Sequence, residues 1–163
     1  MKNLLIVHHS LTGGTLQMAQ AAATAARREP DITVRLEAAA ASGARALLEA
    51  DGYLFASPEN LAAMSGVMKD FFDRTYYAVL DRIQGRAYGI LVCAGSDGTN
   101  AARQIERIAT GWRLRAIAPP LIVCTHAQTP EAILAPKHID AGELARCEEL
   151  GATLAAGLSL GIF

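Results

Sequence analysis

Along this chain, short uninterrupted apolar runs alternate from end to end with longer segments whose apolar residues return every three or four positions. The runs are Asn3 to His8, Ile32 to Leu36, Gly52 to Ala56 and Ala87 to Ala94, with an interrupted fifth between Leu114 and Thr125. Stretches such as Leu4-Leu5-Ile6-Val7 lack the in-out alternation of a half-exposed strand, so they predict strands covered on both faces. The periodic segments predict helices over Thr15 to Arg28, Gly43 to Ala50, Ser65 to Leu80, Thr99 to Trp112 and Ala141 to Leu158. In the third, Met68, Phe71, Phe72, Thr75, Tyr76 and Val79 form an inward stripe while Lys69, Asp70, Asp73 and Arg74 face water. Ile105, Ile108 and Trp112 do the same in the fourth, and Leu144, Cys147, Leu150 and Leu154 in the fifth, which reads Cys147 as a small core residue. Five strands alternating with five helices predict a doubly wound α/β fold in three layers, with ligand-carrying loops at the carboxyl ends of a parallel sheet. At 163 residues, the chain can bury about two-thirds of its unfolded surface, so a single domain over 1–163 is expected.

Three loops follow those strands. The first, Ser10-Leu11-Thr12-Gly13-Gly14-Thr15, joins a buried strand to a helix. A helix start exposes unpaired backbone amides and the positive end of the macrodipole, so an anion there gains hydrogen bonds and charge complementarity together. Hydroxyls from Ser10, Thr12 and Thr15 add donors, and two glycines let the backbone curl round a phosphate. No Lys or Arg lies between His9 and Gln17, and neither G-x-x-x-x-G-K-[ST] nor G-x-G-x-x-G is present. The same residues also suit a plain helix start with Thr12 or Thr15 as N-cap. His8 and His9 read as strand-end residues without a metal pattern. The second loop, Ser57-Pro58-Glu59-Asn60-Leu61-Ala62-Ala63-Met64-Ser65-Gly66, is long for a strand-to-helix connection, with Pro58 stiffening it and Ser65 placed to cap the next helix. The third, Gly95-Ser96-Asp97-Gly98, can present successive amides to an acceptor-rich ligand edge. Pro119-Pro120 breaks the last strand region, and Pro130 and Pro136 bracket a polar loop.

Charge and composition narrow the partners. Lys+Arg 15 against Asp+Glu 16 leaves no basic footprint for nucleic acid or an anionic membrane. No run approaches the roughly 18 apolar residues of a membrane span. Cys93, Cys124 and Cys147 are odd in number and scattered, which fits a reducing, cytoplasmic setting.

Ser10-x-Thr12-Gly13-x-Thr15 resembles the flavodoxin phosphate-loop pattern [ST]-x-T-G-x-T, and Ala50 to Thr75 is similar to the corresponding block of NAD(P)H-dependent FMN and quinone reductases. The resemblance implies a flavodoxin-like five-stranded parallel sheet in the order 2-1-3-4-5, with helices on both faces and FMN at the switch point between strands one and three. It implies a phosphate site from Ser10, Thr12, Gly13, Gly14, Thr15 and Leu16, a ring-side loop from Ser57, Pro58, Glu59, Asn60 and Leu61, and a pyrimidine-end loop from Gly95, Ser96, Asp97 and Gly98. The implied activity passes electrons from NAD(P)H through FMN to a quinone or other small acceptor. The alternative is an FMN-binding electron-transfer flavodoxin without nicotinamide turnover. The family also implies a homodimer or higher homo-oligomer whose neighbouring subunits complete the flavin pocket. This chain departs from many relatives in having no aromatic in the second loop, so a stacking ring would come from Tyr76, Tyr77 or a second subunit. Its near-neutral charge favours a small-molecule reductase over a carrier, which tends to be acidic around the flavin. No side chain is expected to act as acid or base.

Other chemistries fit less well. Ala94-Gly95-Ser96-Asp97-Gly98 departs from the G-x-S-x-G nucleophile elbow at its first glycine, although His126 and His138 lie downstream. A Cys-x5-Arg phosphatase loop beginning at Cys93 fails because position 99 is threonine. A receiver domain needs acidic residues where this chain has His8, His9 and Ser57.

Overall fold

The computed structural model describes residues 1–163. β1 (Lys2–His8), α1 (Gly14–Ala26), β2 (Ile32–Ala38) and α2 (Ala44–Glu49) come first, followed by β3 (Gly52–Asn60) and a two-residue β4 (Ala63–Met64). Then come α3 (Gly66–Val79), β5 (Ala87–Ala94), α4 (Thr99–Gly111), β6 (Arg115–Ala116), β7 (Leu121–Cys124), α5 (Pro130–Leu134) and α6 (Ala141–Ser159). The sheet runs β2-β1-β3-β5, all parallel, and beyond β5 lie β6 and β7 in succession. The fifth strand position is therefore split: Arg115 pairs with Ala87, Leu121 with Leu91, and the Pro119-Pro120 step lies between them. Proline donates no ladder hydrogen bond, which accounts for the break. The order is the flavodoxin-like 2-1-3-4-5 arrangement.

The continuous apolar runs work as expected. Leu4 and Ile6 pack against α1 and α6 on one face, while Leu5 and Val7 pack towards α2, α3 and α4 on the other. Strand β5 is buried along its entire length. The second core gathers most of the aromatic side chains: Phe55 meets the Phe72 ring edge-on at 5.2 Å, and Tyr76 stacks on Trp112 at 5.6 Å and 16°.

Two expectations need correction. The stretch after Ala56 is not a loop: β3 runs on through Ser57 and Pro58 to Asn60 and turns back as β4, pairing Glu59 with Met64 and Asn60 with Ala63. Pro58 sits in the ladder opposite Cys93, close to the end of β3, where a missing N–H costs little. Within the stretch between Pro130 and Pro136, Pro130–Leu134 forms a one-turn helix, with Thr129 Oγ1 accepting from the Ala132 amide at 3.2 Å.

Candidate functional site

At the carboxyl ends of β1, β3 and β5 lies a cleft of about 480 Å³. Behind its floor at the β1–α1 junction the turn is set by Gly13, whose φ of 94° places it in the left-handed region that a side chain disfavours. The Gly13 amide donates to Ser10 Oγ at 3.1 Å, and the first backbone bond into α1 runs from the Gln17 amide to the Gly13 carbonyl at 3.1 Å. The amides of Gly14, Thr15 and Leu16 precede that bond and have no intrahelical acceptor. Neither threonine caps the helix. Thr15 is 1% exposed, and its hydroxyl has no hydrogen-bond partner. Gly14 is pressed against β5, since a Cβ there would stand 2.6 Å from Cys93 Sγ.

The β3–β4 ribbon forms the second wall. Its turn residues Leu61 and Ala62 have φ of 51° and 62°, the twist of a two-residue type I′ hairpin without the glycine usual there. Side chains from α4 hold this strained turn: Asn100 Nδ2 donates to the Ala62 carbonyl at 2.6 Å, and Gln104 Oε1 accepts from the Met64 amide at 2.9 Å. Glu59 reaches the start of α4 and accepts from the Gly98 amide at 2.9 Å and the Ala101 amide at 3.3 Å. A carboxylate there satisfies orphan donors and complements the helix dipole. The Gly98 amide, expected from the sequence to face a ligand, is held by Glu59 in this structure. Ser57 is fully buried; its hydroxyl accepts from the Ser65 amide at 3.1 Å and donates to the Pro58 carbonyl at 2.9 Å, closing the base of the ribbon. Ser65 caps α3, accepting from Met68 at 3.2 Å.

The third wall comes from the segment after β7 and was absent from the sequence reading. Thr125, Ala127, Ile133 and Lys137 line the cleft. The Lys137 amide donates to the Thr12 carbonyl at 2.8 Å, and its ammonium donates to the carbonyls of Ala132, Ile133 and Ala135 at the end of α5. Gln17 bolts this segment to the first loop: Nε2 donates to the Gly13 and Lys137 carbonyls at 3.0 and 2.8 Å, and Oε1 accepts from the Ile139 amide at 3.0 Å. Lys137 thus brings a cation to a loop that has none of its own.

Burial pushes the Cys93 thiol up to about 11, with the Lys137 charge pulling the other way, so the thiol is neutral near pH 7. Burial lowers the pKa of both His8 and His9, which adjoin the cleft without lining it. Hydrogen bonds from Thr99 hold Asp97 below the usual carboxylate range. No group of His, Cys, Asp and Glu side chains is arranged to hold a metal, and no helix is long and apolar enough to cross a membrane. The site offers backbone amides, hydroxyls and one cation at one end and apolar walls at the other, which suits binding a planar phosphorylated heterocycle better than acid–base chemistry.

Residues 23–129 match the family described as NADPH-dependent FMN reductase. The chain belongs to that family. It is also 34% identical over 96 residues to a flavodoxin of Aquifex aeolicus, a match covering 59% of this chain and spanning only 50% of that relative's length. Among solved structures, an archaeal flavodoxin superposes with a TM-score of 0.79 at 20% identity, covering 96% of this chain and 98% of that one. A flavodoxin described as WrbA-like, from Agrobacterium tumefaciens, superposes at 0.75 and 19% identity over 99% of both chains. A flavodiiron core from Synechocystis matches at 0.79 and 19%, covering 98% of this chain and 36% of that one. These structural likenesses establish the fold.

In this FMN reductase family member, Ser10, Thr12, Gly14, Thr15, Pro58, Glu59, Asn60, Leu61, Gly95 and Ser96 meet in the cleft. Gly13, Leu16, Ser57, Asp97 and Gly98 stand behind it and do not line it. No aromatic side chain reaches the cleft: Tyr76 is committed to Trp112, and Tyr77 is 83% exposed on α3. Leu11, Ala62, Cys93, Ala94, Thr125, Ala127, Ile133 and Lys137 complete the lining. A Gln at the first helical turn after a hydroxyl-rich loop was the one available hint of the clamp.

Proposed function

We propose that the cleft binds FMN and that the protein passes electrons from NAD(P)H to a quinone or other small acceptor. The observation that carries the reading is the buried, unpartnered Thr15 hydroxyl beside the free amides that open α1. Stranding a hydroxyl costs about 1–3 kcal/mol, and a phosphate accepting from it relieves that cost. The amides of Gly14, Thr15 and Leu16 and the hydroxyls of Thr12 and Thr15 hold the phosphate, with Lys137 raising the local positive potential. Leu11, Leu61 and Ile133 exclude water from the ring, and the backbone of Gly95 and Ser96 faces its pyrimidine end. The chemistry that FMN supplies when bound is hydride acceptance from nicotinamide and electron delivery to the acceptor. No side chain here need move a proton. The location is cytoplasmic. Exposed Leu11, Leu61, Ile133 and Leu134 at the mouth support a homo-oligomer that covers the rim.

The test is a visible spectrum of the purified protein with added FMN, followed under nitrogen by NAD(P)H and then a quinone. Flavin bands that bleach and return support the reading, and failure to bind FMN removes it. Binding without bleaching replaces it with an electron-carrier role, which the flavodoxin match supports.

A further inference from the structure

A second groove of about 370 Å³ shares the β3–β4 ribbon with the cleft as a common wall. It is lined by Met64, Lys69, Tyr76, Gln104, Arg107 and Ile108. Met64 is the cross-strand partner of Glu59, which lines the cleft, so the two hollows adjoin at the same ribbon.

The chemistry of this groove differs from the surface around it. Every Lys and Arg of the chain makes an ion pair or a side-chain hydrogen bond except Arg27, Arg103 and Arg107. Two of those three lie one turn apart on α4, where like charges at i and i+4 repel. Lys69 is paired with Asp73 at 2.6 Å, so the uncompensated charge belongs to the arginines. Beside them, the Tyr76 ring offers a flat wall stiffened by its stack on Trp112. Gln104, whose carbonyl takes the Met64 amide, keeps its NH2 group uncommitted. A flat aromatic wall, an amide donor and the free guanidinium fork of Arg107, with Arg103 one turn away on α4 outside the lining, form a set suited to a purine carrying phosphate.

We infer that the α3–α4 groove binds the adenosine half of NAD(P)H, with a phosphate on Arg107 and Arg103, while the nicotinamide reaches across the ribbon into the cleft. The inference rests on the reading of NAD(P)H as electron donor. Calorimetric titration of the protein, with FMN added, uses 2′,5′-ADP as the probe and needs no turnover. Wild type is expected to bind it, and Arg107→Glu and Arg107→Gln are expected to weaken binding about tenfold or more, the loss of one charge-assisted hydrogen bond. The FMN Kd is expected to stay unchanged in both variants. Binding of 2′,5′-ADP tighter than of 5′-AMP assigns the arginine contact to the 2′-phosphate, and equal binding of the two assigns it to the 5′-phosphate. In steady state, Arg107→Glu is expected to raise KM for NADPH about tenfold while leaving that for reduced nicotinamide mononucleotide unmoved. No binding by wild type, or equal binding by wild type and both variants, overturns the inference. A protein that binds 2′,5′-ADP but does not oxidise NADPH keeps the site and sinks the reductase reading. NADPH oxidation indifferent to Arg107→Glu does the reverse.

Discussion

Replacing Thr15 by Val is expected to move stability and ligand affinity in opposite directions. The side chain is 1% exposed and its hydroxyl is unpartnered in the protein without ligand. Valine keeps the β-branched shape and its rotamer preference while removing the stranded group. An unsatisfied buried hydroxyl costs about 1–3 kcal/mol, so ligand-free Thr15→Val is expected to gain about 1 kcal/mol, or about 2–4 °C in Tm for a chain of this size. With FMN, the same substitution removes a hydrogen bond to a charged phosphate worth about 1.5–3 kcal/mol, so Kd is expected to weaken about ten- to a hundredfold. Riboflavin, which lacks the phosphate, is expected to bind both proteins alike. Calorimetric melting of the ligand-free proteins and flavin titration read the two effects separately. A Thr15→Val protein that melts lower and binds FMN as tightly as wild type would refute the reasoning, because the hydroxyl would then be structural.

Gln17→Leu breaks two bonds between the first loop and residues 137–139 and a third to the Gly13 carbonyl, and strands the Ile139 amide, so a loss of about 2–4 kcal/mol is expected, with faster hydrogen exchange across 125–139; unchanged exchange there rules the clamp out. Arg86 donates to the carbonyls of Leu47, Leu48 and Ala50 and to Tyr53 Oη, gathering the end of α2, and Arg86→Met is expected to cost about 2–4 kcal/mol by urea denaturation. A cost below about 0.5 kcal/mol, the size of an ordinary surface substitution, would show that water replaces the guanidinium. Burial pushes Cys147 up to about 12 and Cys93 up to about 11 from an ordinary 9.0, so the folded state keeps protons that the unfolded chain releases. Their contribution is full below pH 9 and is lost as pH rises towards 11–12, and the slope is expected to be shallower in Cys147→Ala; identical slopes count against it. His8 and His9 have the opposite sign: lowered from 6.5, they take up protons more readily in the unfolded chain, so stability is expected to fall as pH drops below 6.5, less steeply in His8→Gln.

How much of this was legible follows from the range of each interaction. Strands and helices were readable because Leu4 to Val7 or Met68 to Val79 carry their burial pattern within a few residues. The sheet order came through family resemblance rather than through any residue pattern. The β3–β4 ribbon was hidden because Ser57-Pro58-Glu59 has neither β-branched residues nor alternation, and the glycine that announces a type I′ turn is replaced by Leu61-Ala62. Nothing local shows that the Glu59 carboxylate also lands on the start of α4. The Lys137 wall was the least accessible: it meets Gln17 across 120 residues of sequence, and only the folded chain puts the two together.

The divided fifth strand has a consequence for how copies of this protein can meet. A sheet border with a continuous row of free amides and carbonyls invites another chain to add a strand. Here one border is cut at Pro119-Pro120, and the other, β2, carries Arg35 and Glu37 locked together at 2.6 Å. Both borders therefore resist the addition of a further strand, the first by its interruption and the second by its paired charges.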